Sequence, residues 1–412
     1  MATSATSQSP NTAAAGAPAA LPGLALFDAW RTEMQRAMLQ TARAFDVLRD
    51  QKPANVGKTP KDVIWKQGTA QLYRYRRTTE TVHPVPLLMV HSLISKPYIL
   101  DLIPGNSFIE YLVGQGFDVY MVDWGTPRPE DKSFTLETYV LDLIPQCIER
   151  VLEESEASEL SLFGYCMGGM LALLYAATHP EAPVRNLITL ATPVDFREMG
   201  LQSFWAQEPF MDVDRVVDTL GNVPPQMLMQ SFRMLKPASE LSPVKYISLW
   251  QNVLNDRFVE QYRAFDQWTT DHIPFPGECF RQTTKEIVRA NKFYDGTLTI
   301  GGRSAALSNI RCSFLAVAAQ NDHIVPLAAT RVQPELVSSE DQELVVMPGG
   351  HVGLAAGRKA VQTLWPKVAG WLAERSQPAE ASNEPGAELA AEIELIVERV
   401  PAAKRELVAA GV

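Results

Sequence analysis

The chain has 412 residues, 46% of them hydrophobic and 20% charged, with a formal net charge of −10. This length can bury a large core, the composition is that of an ordinary globular protein, and the acidic surplus without a dense basic run speaks against nucleic acid as a partner. The four cysteines, Cys147, Cys166, Cys279 and Cys312, form no C-x-x-C pair and fit free thiols in a reducing compartment better than a disulfide scaffold or a zinc site. No run of about 18 apolar residues predicts a membrane span, and the N-terminus lacks a signal-peptide pattern, so a cytoplasmic protein is expected.

Residues 1–22 are Ala, Ser, Thr, Pro and Gly with almost no large side chains, a composition that predicts a disordered arm. From Leu24 to Leu48, Phe27, Trp30, Met34, Met38, Ala42, Phe45 and Leu48 recur at helical steps. Such a stripe packs on the main domain or meets a partner subunit or an apolar surface. Pro60–Trp65 leads into an alternating strand, Leu72–Tyr75. Val85–Val90 then reads as a buried strand, Ile103–Gln115 as a helix, Phe117–Val122 as a strand ending in Asp123-Trp124-Gly125, and Leu136–Glu154 as a helix despite Pro145. Strands at Leu160 and Leu187 follow, the second ending in Thr192-Pro193. Strands alternating with helices predict a doubly wound, mostly parallel α/β sheet.

That alternation breaks near Phe196 and resumes after Tyr294 with strands at Ser313–Ala319 and Glu343–Met347 and a helix from Arg358 to Glu374, interrupted by Pro366. The intervening stretch, rich in Met, Trp, Phe, Gln and Pro, has the composition of a mostly helical cap that would keep water from a site. The chain is therefore read as a disordered arm (1–22), an N-terminal helical segment (23–65), a core in two parts (66–196 and 297–375), a cap insertion (197–296), and a linker with an acidic amphipathic C-terminal helix (376–412) built on Leu389, Ile393, Ile396, Val397 and Val400.

The chemistry gathers around Leu160-Ser-Leu-Phe-Gly164-Tyr-Cys166-Met-Gly168-Gly169. An apolar strand, a sharp glycine-flanked turn and an Ala/Leu-rich helix are the setting of a nucleophile elbow, with cysteine in place of serine. Cysteines in such strand–helix units are also often inert packing, so the partners matter. The two strands after the cap end in Gln320-Asn321-Asp322-His323 and in Gly349-Gly350-His351. The order Cys166, Asp322, His351 is that of nucleophile, acid and base in an α/β-hydrolase fold, each in a loop after a strand. Taken singly, Asp322 is also an ordinary turn residue and His351 an ordinary loop residue. His323 is the competitor of His351; His91 lies in the loop that would supply an oxyanion donor; His83, His179 and His272 are read as structural. The oxyanion hole is assigned to the backbone N–H groups of Met167 and Leu93.

Cysteine suits a particular reaction. Attack of a thiolate on an acyl thioester exchanges one thioester for another at nearly equal energy, so the acyl group stays activated for transfer to a hydroxyl, whereas serine would give a more stable oxygen ester. A neighbouring His351 raises the thiolate fraction and protonates the leaving thiol. This logic favours acyl transfer over hydrolysis.

From about Gly57 to Leu372 the chain resembles the polyhydroxyalkanoate synthases. The matching strings are Ser92–Leu102, Val122-Asp-Trp-Gly125, Gly164-Tyr-Cys-Met-Gly-Gly169, Thr192-Pro-Val-Asp-Phe196, Ile300-Gly-Gly302, Asp322-His-Ile-Val-Pro326 and Gly350-His-Val-Gly353. In size the chain is most similar to the catalytic subunit of the two-subunit class III enzymes, although the Ala/Ser-rich arm and the acidic tail are additional to that pattern. The resemblance implies that Cys166 takes the acyl group of an (R)-3-hydroxyacyl-CoA with His351 as base and that Asp322 helps to activate the 3-hydroxyl. It further implies a polyester collecting as a cytoplasmic granule, a homodimer, a second non-catalytic subunit, short monomers of about three to five carbons, and no metal or redox cofactor. The alternatives are an acyl-CoA thioesterase, a dienelactone hydrolase-like enzyme with a similar elbow but a much shorter chain, and a non-catalytic granule-associated protein using the two amphipathic helices.

Overall fold

The structure, a computed structural model, describes residues 22–49, 52–80, 82–235 and 244–376; most of the arm and the C-terminal helix expected from sequence lie outside the described residues. The chain divides into two compact units, one of residues 54–241 with 263–412 and one of residues 1–53 with 242–262.

The larger unit is built on an eight-stranded sheet. Its strands are β1 (Lys61–Gln67), β2 (Ala70–Tyr75), β3 (Leu87–Val90), β4 (Val119–Asp123), β5 (Leu160–Tyr165), β6 (Val184–Leu190), β9 (Ser313–Ala319) and β10 (Gln342–Met347), in spatial order β1-β2-β4-β3-β5-β6-β9-β10. A two-residue hairpin, β7 (Thr299–Ile300) and β8 (Arg303–Ser304), turns through Gly301 and Gly302 outside this sheet. From β4 to β10 every neighbouring pair is parallel, and only the β1–β2 and β2–β4 pairs are antiparallel. The sheet therefore has the doubly wound, mostly parallel form expected from sequence.

Parallel strands covered on both faces read as unbroken apolar runs, and β3 and β5 do: all their residues are buried. Alternate side chains feed two cores. Leu88, Val90, Val122, Leu162 and Leu187 pack on one face with α3 (Ile144–Ser155) and α4 (Met167–Thr178). Leu87, Met89, Met121, Phe163 and Ile188 pack on the other with α2 (Phe108–Gly114) and the helix Trp365–Arg375. Pro145 does not break its helix, because residues Thr138–Leu143 widen into π-type turns just before it and Pro145 sits in the first turn of α3, where its missing N–H has no acceptor to satisfy. The same device precedes Pro366, over Ala360–Leu364.

One expectation is corrected here. Residues 23–65 are not one helical segment: α1 (Pro22–Arg49) ends well before β1, which pairs with β2 across a turn at Gly68, a positive-φ position. In the smaller unit, the helix face that packs is not the aromatic stripe. Gln40, Ala44 and Val47 are buried, the last two against Leu249, Val253 and Val259, whereas Phe27, Trp30, Met34, Met38, Phe45 and Leu48 are exposed. The spacing is helical on both faces, so periodicity alone could not choose between them. Residues 242–262, which join α1 in this unit, come from within the stretch read as the cap; the described remainder of that stretch, in the larger unit, is mostly helical. Among the described residues no helix is long and apolar enough to cross a membrane.

A buried carboxylate ties the antiparallel edge to the parallel core. Asp118, just before β4, accepts hydrogen bonds from Arg74 Nη2 at 2.8 Å, Arg77 Nη2 at 2.8 Å and the Tyr120 hydroxyl at 3.0 Å. Burial pushes the Asp118 pKa up, but the two guanidiniums outweigh it and hold the carboxyl below its ordinary value. A folded-state pKa below that of the unfolded chain gives stability that is complete above about pH 4 and is lost as the pH falls through the folded value. Urea titrations at pH 6 and pH 3 should therefore show a smaller acid-induced drop in midpoint for Asp118→Asn than for the parent protein.

Candidate active site

β5 ends in a turn that only a narrow set of side chains fits. Cys166 has φ 56° and ψ −123°, a conformation that costs a non-glycine residue about 1–3 kcal/mol. It is held there from several sides. Its N–H donates to Leu190 O at 2.8 Å, and its carbonyl accepts from Gly169 N at 3.0 Å and from the Thr192 hydroxyl at 3.2 Å. Glycines let α4 lie directly on the strands: a Cβ at Gly168 would stand 2.2 Å from Val90 O, and one at Gly164 2.3 Å from the Gly169 Cα. The thiol consequently sits at the N-terminal end of a 12-residue helix, where the helix dipole favours an anion.

The partners arrive on two other strands. The loop after β9 carries Asp322, and the loop after β10 carries His351, the first residue of the helix His351–Ala356. The two loops are stapled by Gln320 N donating to Met347 O at 2.8 Å and Asn321 N donating to Gly349 O at 2.9 Å. Asp322 Oδ1 accepts from Ile324 N and Val325 N at 2.8 and 2.9 Å, which leaves Oδ2 to accept from His351 Nδ1 at 2.7 Å. His351 also hydrogen-bonds to the Cys166 side chain. Burial disfavours the imidazolium, yet the negative charges of Asp322 and Cys166 outweigh it and raise His351 to about 10. The structure thus brings together the three residues that the sequence singled out, in the linear order sulfur, imidazole, carboxylate.

The other histidines separate from this site. His323, the competitor, is exposed. His83 stacks on Phe117, His179 hydrogen-bonds beside Tyr175 and Thr178, and His272 packs near Phe232. His91 is fully buried after β3, its Nε2 3.2 Å from Ser95 Oγ. Met167, at the first position of α4, has an N–H that helix geometry leaves without an intrahelical acceptor, and the Leu93 N–H takes no backbone carbonyl among the described residues.

Sequence reasoning missed the layer beneath the elbow. Thr192 O accepts from Gln333 Nε2 at 2.7 Å and from Thr330 Oγ1 at 3.0 Å, while Gln333 Oε1 accepts from Thr189 Oγ1 at 2.7 Å. Gln333 is completely buried, and nothing local in Arg331-Val-Gln333-Pro announces it.

A family described as "alpha/beta hydrolase fold" matches residues 85–356, and one described as "Poly-beta-hydroxybutyrate polymerase (PhaC) N-terminus" matches residues 31–112. Among solved structures, a lipase-like protein from Sulfolobus solfataricus superposes with a TM-score of 0.51 at 14% identity, covering 79% of this chain and 98% of that one. The fold and the strand–elbow–helix unit define an α/β-hydrolase-fold protein.

Full-length relatives narrow this further. The chain is 35% identical to the poly(3-hydroxyalkanoate) polymerase subunit PhaC of Allochromatium vinosum, over 83% of this chain and 96% of that one. It is 37% identical to the protein of the same name in Haloferax mediterranei, over 82% and 68%, and 35% identical to that of Thiocystis violacea, over 78% and 90%. The chain belongs to the poly(3-hydroxyalkanoate) polymerase PhaC family.

Two outcomes test the geometry. Gly168→Ala drives a Cβ into the Val90 carbonyl, a backbone atom that has nowhere to go, and should lower stability by about 1–3 kcal/mol in denaturant titration. Gly353→Ala, whose Cβ would meet nothing within 4 Å, is the control and should stay within about 0.5 kcal/mol. Because Asp322 holds the proton on His351, Asp322→Asn should lower the imidazole titration midpoint followed by NMR.

Proposed function

We propose that the protein is a poly(3-hydroxyalkanoate) synthase that polymerises (R)-3-hydroxyacyl-CoA through a thioester on Cys166. The observation that carries this reading is the Cys166–His351–Asp322 line at the ends of β5, β10 and β9, in a chain of this family.

In the first half-reaction His351 holds the thiol proton while the Cys166 sulfur attacks the thioester carbonyl. The oxyanion forms between the N–H groups of Met167 and Leu93, and its collapse breaks the bond to CoA, whose sulfur leaves with the proton from His351. The products are the acyl-cysteine and free CoA. In the second half-reaction the 3-hydroxyl of another unit, or of the chain, gives its proton to His351. Its oxygen attacks the acyl-cysteine, forming an ester bond and returning the thiol proton to sulfur.

The electrostatics suit this division. While the sulfur is anionic it helps to keep His351 protonated. Acylation removes that charge, so His351 becomes the better base at the step that needs one. Asp322 has two backbone N–H groups on one oxygen and His351 on the other, which supports a role in orienting and charging His351 and sends the hydroxyl proton to the imidazole. Neither half-reaction changes an oxidation state, so the chemistry closes without a redox cofactor, and the buried N–H donors supply the charge stabilisation for which a metal would otherwise serve.

The substrate class proposed is a short-chain unit such as 3-hydroxybutyryl-CoA. A homodimer, a second subunit and a cytoplasmic granule surface belong to the same proposal and rest on family resemblance. The purified protein given (R)-3-hydroxybutyryl-CoA should release CoA and develop turbidity together, and Cys166→Ala should lose both. CoA release with only soluble 3-hydroxybutyrate would replace the synthase reading with a thioesterase.

A further inference from the structure

The loop that leaves β3 is closed on itself by a side chain. His91 Nε2 lies 3.2 Å from Ser95 Oγ, four residues on, and both residues are buried, so Leu93 stands at the centre of a short ring. The ring is anchored on the elbow side: His91 O accepts the Trp124 indole N–H at 2.9 Å, and the His91 backbone runs so close to Gly168 that a Cβ there would be 2.6 Å from the His91 carbonyl carbon. It is anchored on the other side by residues that follow the cap helix ending at Thr270, and by that helix itself. Ile273 N donates to Ile94 O at 3.3 Å, Ser95 forms a β-bridge with His272, and Trp268 Nε1 donates to Lys96 O at 2.8 Å.

Several features of His91 fit a tie better than a charge or a packing block. Burial lowers its pKa to about 3, so the ring is neutral wherever the enzyme would work and adds no cation to compete with His351. Its Nδ1 is buried and takes no hydrogen bond among the described residues. A purely apolar side chain would avoid that penalty, so what distinguishes an imidazole here is its contact with the Ser95 hydroxyl and its hydrogen bonding to the backbone of Ser95 and Lys96, all within this one loop. The Tyr165 ring, beside the nucleophile, lies 6.0 Å from the His91 ring and 5.2 Å from that of His351, so the tie packs into the same wall as the base.

We infer that His91 and Ser95 are positioning residues whose side-chain tie fixes the Leu93 N–H as the second oxyanion donor; the inference rests on the proposed acyl transfer at Cys166. A donor must sit within about 0.5 Å of its working position at the developing oxyanion, and a six-residue loop without an internal tie would sample many others.

The test sets two reactions of the same sulfur side by side. Acylation by (R)-3-hydroxybutyryl-CoA, followed as single-turnover CoA release, builds an oxyanion; alkylation of Cys166 by iodoacetamide displaces iodide and builds none. His91→Phe and Ser95→Ala should each slow acylation about 10- to 100-fold with KM changed less than about threefold, while alkylation stays within about twofold of the parent rate. His91→Gln, which keeps a side-chain N–H in reach of Ser95, should recover most of the acylation rate. Acylation at the parent rate in Ser95→Ala, or alkylation falling in step with acylation, would overturn the inference, the latter because the Cys166–His351 pair itself would then be disturbed. CoA release that survives Cys166→Ala would instead sink the acyl-transfer reading, and this inference with it.

Discussion

Everything in the site hangs on the near-contact of α4 with the strand ends. The positive-φ backbone at Cys166 is unfavourable by itself and persists because the surroundings fix it more firmly than its own torsions oppose it. Gly168 lies on the carbonyls at the end of β3, Gly169 lies on the Thr192 hydroxyl, and the Cys166 peptide is hydrogen-bonded to Leu190, the last residue of β6, and to Thr192 just beyond it. One turn thereby locks three parallel strands in register at their carboxyl ends. Thr192 is in turn held by Gln333 and Thr330, so the elbow rests on a buried polar layer in which Thr189, Thr192, Thr330 and Gln333 all find partners. Full satisfaction lets a polar layer stiffen a core rather than weaken it.

Rigid backbone then makes a buried charge line tolerable. His351 and Asp322 are almost wholly out of water, and in that environment an unpaired ion would be costly. Asp322 meets the demand locally through Ile324 and Val325, and His351 meets it through Asp322 on one side and the Cys166 side chain on the other. The acid is pinned by its own loop, the base by the acid, and the sulfur by the elbow, so each group reaches its neighbour without a search. The two loop staples, Gln320 to Met347 and Asn321 to Gly349, keep that alignment independent of the longer connections around it.

The sheet and the three side chains that meet at its strand ends were legible because both signals are local: buried parallel strands give continuous apolar runs, and Gly164-Tyr-Cys166-Met-Gly168-Gly169 carries its own turn chemistry. Asp322 and His351 were found because each follows such a run directly. What escaped depends on packing between distant segments. Gln333 and Thr189 touch across 144 residues of chain, and Trp124 finds the His91 carbonyl across 33; neither side chain has a neighbour pattern that foretells its partner. The α1 stripe kept its two readings open for a related reason. Helical periodicity marks the positions that share a face, and only the packed partners Leu249, Val253 and Val259 reveal that Ala44 and Val47 are the ones covered. The strand β1 was absorbed into a helical segment because its exposed residues dilute the alternation that marks a strand.

Cysteine in such a line favours acyl transfer, but the line can also serve hydrolysis, so it does not by itself decide which nucleophile completes the reaction. That decision falls to whatever limits the approach to the acyl-cysteine. The loop after β3 is physically joined to one neighbouring segment: Ile94 and Lys96 receive hydrogen bonds from Ile273 and Trp268, and the same loop reaches the elbow through the His91 carbonyl and Trp124. A displacement of the segment around Trp268–Ile273 large enough to admit water would pull on the residues flanking Leu93. With the Leu93 N–H in the proposed role, loss of dryness and loss of oxyanion stabilisation would then coincide. An acyl-cysteine in such an opened site would be more exposed to water but slower to react with it, which is the property an enzyme needs if its covalent intermediate is to wait for a hydroxyl.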